Sequence, residues 1–293
     1  MSSLLPIEID PKTFLSQHYS LPALPRTLTK IQEIIREPDT EMSTIVELIS
    51  SDPALVAQLL KIVNSSYYAL PTEVSQVQFA VAFLGLNEVY RMALSLTVIN
   101  TLNVEDAIQL KEFWFHSYYT SLCTKYLAKK YEPQLSFEDL WSASVLHDIG
   151  KLVYLKFFPK HYAELKKYMK ENGCLLSEAI EHFSLPSDTY FGVLLCDHWR
   201  LPEKIKDACE FHTIKDLDKI GTYGHTDIFR KMVCLGNLVA ILSKDELNDA
   251  VKRRLADAIM KALDCSDSGF LSLMGDIYEL RLEVDKFMHT LQL

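Results

Sequence analysis

Apolar residues recur at intervals of three and four positions along almost the whole chain, a spacing typical of amphipathic α-helices. Glycine and proline, which most often interrupt helices, number only 9 and 11 among 293 residues. With 48% hydrophobic residues, a chain of this length can bury a large core without cross-links. The sequence therefore predicts an all-α protein built from many helices.

Some helix boundaries carry local signals. Asp52 followed by Pro53 predicts a helix start, because Asp caps the first backbone N–H groups and Pro fits the first turn. Ser136 with Asp139 resembles a capping box. It precedes an apolar run that predicts one long helix over residues 141–158.

The chain is predicted to divide into three regions. We expect a helical lobe over residues 1–104, a second lobe over 105–245, and C-terminal helices over 246–293 that pack on the core or form a dimer contact. Of the nine histidines, only His18 precedes the first boundary. In the first lobe, four aromatic residues are predicted to be core at their helical spacing: Tyr67, Tyr68, Phe79 and Phe83.

Charge and cysteine usage exclude several classes of protein. Lys and Arg total 30 against 39 acidic residues, so the formal net charge of −9 disfavours binding to nucleic acid. No apolar run approaches the 18 residues of a membrane span, and the first residues do not resemble a signal peptide. Six scattered cysteines without a CxxC pair indicate reduced thiols. We expect a cytoplasmic protein that does not bind membranes.

The run Ser144–Lys151 contains the strongest chemical signal. His147 and Asp148 are adjacent within an apolar stretch, and an imidazole beside a carboxylate suits a divalent metal. The alternative is a buried pair held by hydrogen bonds without metal. Lys151 lies one turn after His147, and its simplest role is an i, i+3 ion pair with Asp148.

An ordered series of motifs over about residues 15–245 resembles the HDOD domain. These motifs are Leu21–Pro25, Ile49–Leu55, Asn64–Tyr68, Ala82–Leu86, His147–Lys151, Trp199–Pro202 and His212. The resemblance implies a multi-helical HD-domain/PDEase-like fold with an N-terminal helical lobe. It also implies relationship to the HD superfamily of metal-dependent phosphohydrolases, which includes the HD-GYP cyclic di-GMP phosphodiesterases. HDOD domains are generally regarded as regulatory modules of bacterial signalling.

The HD pattern implies a ligand set in which some positions have changed. His116 fits the early His of the pattern, and His147 with Asp148 supplies the central pair. Asp188 or Thr189 stands where a His is usual, and His212 is followed by Thr213 instead of a second His. Asn237 occupies the place of the closing Asp.

This set carries only two carboxylates, Asp148 and Asp188. The resemblance therefore implies a degenerate site for one divalent transition metal, Fe, Mn, Zn or Ni, and not for two. A less expected alternative is a Cys₂His₂ zinc site formed by Cys196, His198, Cys209 and His212.

Three functions follow as hypotheses. The first is a signalling module that acts through a protein partner or a ligand. The second is a metal-dependent phosphohydrolase of nucleotides or cyclic dinucleotides, in which Lys151 contacts the phosphate. The third is a nucleotide receptor that has lost the chemistry. We expect a signalling protein partner, and we retain a nucleotide ligand and a homodimer as hypotheses.

Overall fold

The computed structural model describes residues 7, 23–34, 41–135, 139–221, 224–244 and 246–291. Within these ranges the chain forms sixteen α-helices and no β-strand, which confirms the all-α prediction. The helices are α1 (Arg26–Ile34), α2 (Met42–Ser50), α3 (Pro53–Val63), α4 (Val77–Leu84), α5 (Leu86–Thr101), α6 (Ala107–Tyr131), α7 (Leu140–Leu146), α8 (Gly150–Phe157), α9 (Pro159–Asn172), α10 (Leu176–His182), α11 (Asp188–Trp199), α12 (Glu203–Glu210), α13 (Ile214–Leu217), α14 (His225–Leu242), α15 (Asp249–Leu263) and α16 (Asp267–Leu291).

These helices form two compact units. Of the described residues, 7 and those within 104–284 make up the histidine-rich unit, and those within 23–103 and 285–291 make up the amino-terminal unit. The predicted division into regions 1–104, 105–245 and 246–293 stays a prediction.

In the amino-terminal unit, the predicted start at Asp52 is confirmed. The Asp52 carboxylate accepts hydrogen bonds from the N–H groups of Ala54 and Leu55, and Pro53 is the first residue of α3. Such a cap contributes about 1 kcal/mol. After α3, the Asn64 side chain both donates to and accepts from the backbone of Val74, which closes the loop before α4.

Of the four aromatic residues predicted to lie in the core, Tyr67 is buried and Tyr68 is partly buried, whereas the prediction is wrong for Phe79 and Phe83. Both are more than half exposed, at 52% and 53%. Helix α4 buries the face that carries Val77, Ala80 and Val81, so residues 79 and 83, four apart, share its solvent side.

The histidine-rich unit is built around α6, which packs against α7 and α14. The α6–α14 contact is close because Gly236 lies against Thr124: a Cβ at Gly236 would come within 2.9 Å of the Thr124 Cα. Most of the central part of α6 is buried, including its polar residues. One of these is His116.

The predicted single helix over residues 141–158 is wrong, because it is interrupted at the His-Asp pair. Helix α7 ends at Leu146, a turn covers residues 147–149, and α8 begins at Gly150. The turn replaces α-helical bonds by i to i+3 bonds, from the Ile149 N–H to the Leu146 carbonyl and from the Lys151 N–H to the Asp148 carbonyl. Asp139 precedes α7 without capping it, and Ser136 lies outside the described residues.

Gly150 allows α8 to approach α11 closely. A Cβ on Gly150 would lie 1.8 Å from the Asp188 carbonyl oxygen and 2.7 Å from the Gly192 backbone nitrogen. No side chain fits this space. The close approach brings Asp188, the first residue of α11, next to the turn that carries Asp148.

The segment after α14 adds further helices to the histidine-rich unit. Helix α15 packs against α13 and α14 and buries Val251, Leu255, Ile259 and Leu263 along one face. A dimer contact by the C-terminal helices stays a prediction. None of the described helices combines the length and the apolar character that a membrane crossing requires.

Candidate metal centre

Five side chains that the sequence nominated as ligands meet inside the histidine-rich unit. His116 comes from α6, His147 and Asp148 from the turn between α7 and α8, Asp188 from the start of α11, and His212 from the segment between α12 and α13. All five are buried. They form two triads that share Asp148, and within each triad the ligand atoms lie within 4.8 Å of one another.

The three imidazoles present their Nε2 atoms to the carboxylates. The Asp148 Oδ2 lies 3.1 Å from the His116 Nε2 and 3.3 Å from the His147 Nε2. The other oxygen, Oδ1, lies 3.3 Å from the His212 Nε2, which is also 4.0 Å from the Asp188 Oδ2. Asp148 is thus central, and a cation beside it would meet nitrogen and oxygen donors from several elements.

Backbone carbonyls fix the tautomers of two of these histidines. The His147 Nδ1 lies 2.6 Å from the Ser144 carbonyl oxygen, and the His212 Nδ1 lies 2.8 Å from the Cys209 carbonyl oxygen. A carbonyl only accepts, so both Nδ1 atoms carry the proton and donate it. In a neutral imidazole, the lone pair on Nε2 then faces an Asp148 oxygen.

Two lone pairs facing each other in a buried site repel unless a cation or proton lies between them. The His147 Nε2 and the Asp148 Oδ1 are buried and make no hydrogen bond within the described part of the chain. These two atoms without a hydrogen-bond partner are the atoms that a metal would bind. The arrangement fits a metal better than it fits a self-satisfied pair.

The electrostatic environment favours a neutral His116 and an ionised Asp148. Burial lowers the pKa of His116 well below its ordinary value, and the nearby Lys244 ammonium lowers it further, so this imidazole is neutral at pH 7. Burial alone would raise the pKa of Asp148, but a positive charge at His147 and the Lys151 ammonium outweigh burial and hold the pKa well below the usual range, so the carboxylate is the form that goes with a cation at this place. A neutral imidazole and an ionised carboxylate are metal-binding forms.

The donor set fits one dication. Three imidazole nitrogens with two carboxylates are typical of Zn, Fe, Mn or Ni, and the two negative charges balance a single 2+ ion. Asp188, and not Thr189, is the residue that joins the cluster. The Asn237 side chain donates from Nδ2 to the His212 carbonyl at 2.8 Å, and its Oδ1 is buried without a partner.

Lys151 makes the ion pair expected from its spacing. Its ammonium donates to the Asp148 Oδ2. The side chain is 18% exposed and lies at the edge of the cavity that adjoins the cluster. Lys151 therefore contacts the buried Asp148 carboxylate and also lines the neighbouring cavity.

The Cys₂His₂ alternative does not match the geometry. His198 is exposed, whereas the Cys196 and Cys209 thiols are buried 3.7 Å apart. The Cys209 thiol donates to the Leu146 carbonyl, and the His212 Nε2 faces Asp148. These four side chains do not point to a common centre.

Comparison with known proteins places this chain in a family. The model of the HDOD domain matches residues 21–214. The chain belongs to the HDOD family. An uncharacterised protein of Treponema pallidum (strain Nichols) is 30% identical to it over 192 residues, which is 66% of this chain and 37% of that protein. The match thus spans little more than a third of its relative's length.

Solved structures share the fold. An HDOD domain protein of unknown function from Geobacter sulfurreducens superposes with a TM-score of 0.71 at 21% identity, covering 94% of this chain and 96% of that one. A protein from Shewanella amazonensis SB2B, named as a candidate metal-dependent phosphohydrolase, gives a TM-score of 0.61 at 19% identity, covering 90% and 92% of the two chains. At these identities the likeness shows the HDOD fold alone.

The cavity beside the cluster contains residues that sequence reasoning missed. It measures about 420 Å³, and its lining includes His116, Asp148, Asp188, His212 and Asn237. Helix α9 and the segment after α14 supply other lining residues, among them Tyr162 and Lys244. Neither lies in an HDOD motif or in a pattern that marks a ligand, so no sequence signal pointed to them.

Proposed function

We propose that this HDOD chain is a bacterial regulatory module that binds one divalent transition metal at His116, His147, Asp148, Asp188 and His212. One observation supports this proposal most directly. Backbone carbonyls hold the Nδ1 atoms of His147 and His212, so the Nε2 atoms of both imidazoles face Asp148. In this proposal, the metal orders the turn at Asp148 and the cavity next to it. A ligand or partner protein then binds to this ordered state.

The charge of the site supports one metal instead of two. Asp148 and Asp188 are the carboxylates of the cluster, and the position of a further Asp is taken by Asn237. The amide nitrogen of Asn237 is committed to the His212 carbonyl. A second dication would therefore lack charge compensation in a buried site, which is costly.

The chain's own residues would hold and orient a ligand. The Ser144 and Cys209 carbonyls fix two imidazoles, and Lys151 presents an ammonium at the cavity edge. A bound dication would add a Lewis acid that polarises a phosphate oxygen. The Lys151 ammonium and the bound dication would together suffice to bind an anion.

A metal-dependent phosphohydrolase is the second candidate. One observation favours it: the cluster opens into a cavity of about 420 Å³ in which Lys151 lies beside Asp148, as a phosphate-contacting lysine would. The name of the Shewanella amazonensis protein points in the same direction. We rank hydrolysis second because the proposed site holds one metal and because the neutral Asn237 stands where a further Asp would be needed.

We further propose that the protein works in the cytoplasm through a signalling protein partner, and that a homodimer is compatible with its exposed helices. Neither nucleic acid nor membrane belongs to this proposal, because the net charge of −9 opposes anionic polymers and anionic surfaces.

A hydrolysis assay separates the two candidates. Metal-loaded wild type would be incubated with bis(4-nitrophenyl) phosphate and with cyclic di-GMP, beside Asp148→Asn and the exposed control His225→Ala. The regulatory proposal expects the same background rate in all three proteins. Turnover in wild type and His225→Ala that disappears in Asp148→Asn would replace it by the phosphohydrolase.

A further inference from the structure

The cavity next to the metal cluster has the size and lining of a small-molecule site. Its volume of about 420 Å³ falls within the range of ligand pockets, roughly 300–1,000 Å³. Apolar side chains also line it, and Met169, Ile241 and Leu247 among them are only partly buried. A molecule with a polar head and an apolar body would match a lining of this composition.

Lysines dominate the polar part of the lining. They are Lys151, Lys166, Lys167, Lys170 and Lys244. The acidic residues of the lining are Glu112, Asp148, Asp188 and Glu246. Two of these four, Asp148 and Asp188, belong to the metal cluster, so a bound dication leaves the cavity positive. This contrasts with the net charge of −9 of the whole chain and attracts anions to one place.

Lys244 differs from the other cavity cations that lie near the cluster. Lys151 pairs with Asp148, and Lys166 pairs with Glu112. Lys244 makes no ion pair or side-chain hydrogen bond within the described residues, and its side chain is partly buried. A bound anion would supply the partner that this ammonium lacks.

The electrostatic environment agrees with this geometry. Burial, together with the nearby Lys151 ammonium, lowers the pKa of Lys244 from 10.5 to about 8. Lys244 also lowers the pKa of His116, so it lies close enough to act on the metal cluster. The two lysines and residues of the cluster line the same cavity.

We propose that Lys244, together with Lys151, forms a subsite for the phosphate of a small phosphomonoester whose organic part lies against Met169, Ile241 and Leu247. The inference rests on the proposed metal site and names its ligand class. A phosphomonoester dianion can interact with two ammonium groups and a metal at once. A monocarboxylate carries one negative charge and would leave one cation uncompensated.

The test uses 1-naphthyl phosphate, a fluorescent phosphomonoester with an apolar body. The affinity of the Zn²⁺-loaded chain for this ligand would be compared with its affinities for 1-naphthol and for inorganic phosphate. The variants are Lys244→Met, Lys244→Arg and the control Lys160→Met, an exposed lysine of α9 outside the cavity. Zinc content is measured on the same samples.

We expect 1-naphthyl phosphate to bind at least about tenfold more tightly than either 1-naphthol or inorganic phosphate. Lys244→Met should weaken binding about tenfold, whereas Lys244→Arg and Lys160→Met should retain most of it. Equal binding of 1-naphthol, equal binding of inorganic phosphate, or wild-type affinity in Lys244→Met would each overturn the inference.

The result also separates this inference from the proposed function. Stoichiometric zinc without phosphate-dependent binding overturns the subsite and leaves the metal site intact. Binding that depends on Lys244 in protein that takes up no zinc supports the subsite and contradicts the metal site.

Discussion

His147 lies between two acceptors: its Nδ1 is 2.6 Å from the Ser144 carbonyl oxygen, and its Nε2 is 3.3 Å from the Asp148 Oδ2. Because an imidazole with one proton cannot donate to both, the second contact needs another positive charge. The break between α7 and α8 creates this relationship, since it lets the His147 ring reach back to Ser144. Local backbone geometry thus prepares the site for a cation.

Gly150→Ala tests how closely α8 and α11 must approach. The added methyl group would overlap the Asp188 carbonyl oxygen and the Gly192 backbone nitrogen, so the two helices must separate. We expect a loss of about 3 kcal/mol or more in the free energy of unfolding. Chemical denaturation measures it, and the displaced Asp188 should also weaken metal binding in any folded fraction.

Gly275→Ala is the matched control for that experiment. Gly275 lies inside α16, and nothing stands within 4 Å of the place where its Cβ would be. Alanine there should be neutral or stabilise by up to about 1 kcal/mol, because it favours helix more than glycine does. Equal destabilisation by both substitutions would refute the close-approach argument.

Asn237→Asp tests the changed ligand position. The substitution removes the amide that donates to the His212 carbonyl and sets a carboxylate oxygen against it. We expect the metal-free protein to lose about 2 kcal/mol of stability. We expect metal affinity to rise, because a third carboxylate joins the set. Titration with Zn²⁺ against a competing chelator measures this, and unchanged or weaker affinity would show that residue 237 does not face the metal.

Asp216→Asn tests a charge that holds the segment after His212. Burial would raise the pKa of Asp216, but hydrogen bonds from Thr213 and Lys219 outweigh it and lower the pKa below the ordinary value. The folded state therefore prefers the carboxylate. Its contribution is complete above the unfolded pKa of about 3.9 and is lost as the pH falls through the lower folded value.

Asp216→Asn should accordingly cost about 1 kcal/mol at pH 7 and progressively less below pH 4. Urea unfolding of wild type and variant at pH 7 and pH 3 measures the difference. A cost that is the same at both values would mean that the charge of Asp216 does not stabilise the fold.

The helical class and the members of the His/Asp cluster could be predicted from the sequence, because both depend on local spacing or on ordered motifs. Asp52 with Pro53 predicted a helix start that local chemistry dictates. His147 and Asp148 are neighbours in sequence, so their proximity needed no knowledge of the fold. The family pattern pointed to His116, Asp188 and His212, which the fold brings to the same place.

Features that depend on packing could not be predicted. Helical periodicity did not reveal the break at residues 147–149, because the turn keeps helical backbone angles at His147 and Ile149. The exposure of Phe79 and Phe83 depends on which face of α4 is covered. Lys244 joins the cavity only through the path of the chain after α14.

Metal content per chain shows whether the His/Asp cluster binds a metal ion. Protein purified without chelator or affinity metal would be measured by elemental analysis, beside the double variant His147→Ala, Asp148→Ala and the exposed control His225→Ala. We predict close to one Fe, Mn, Zn or Ni per chain in wild type and control, and almost none in the double variant. No metal in wild type after incubation with each of these ions, or equal content in the double variant, would contradict the account.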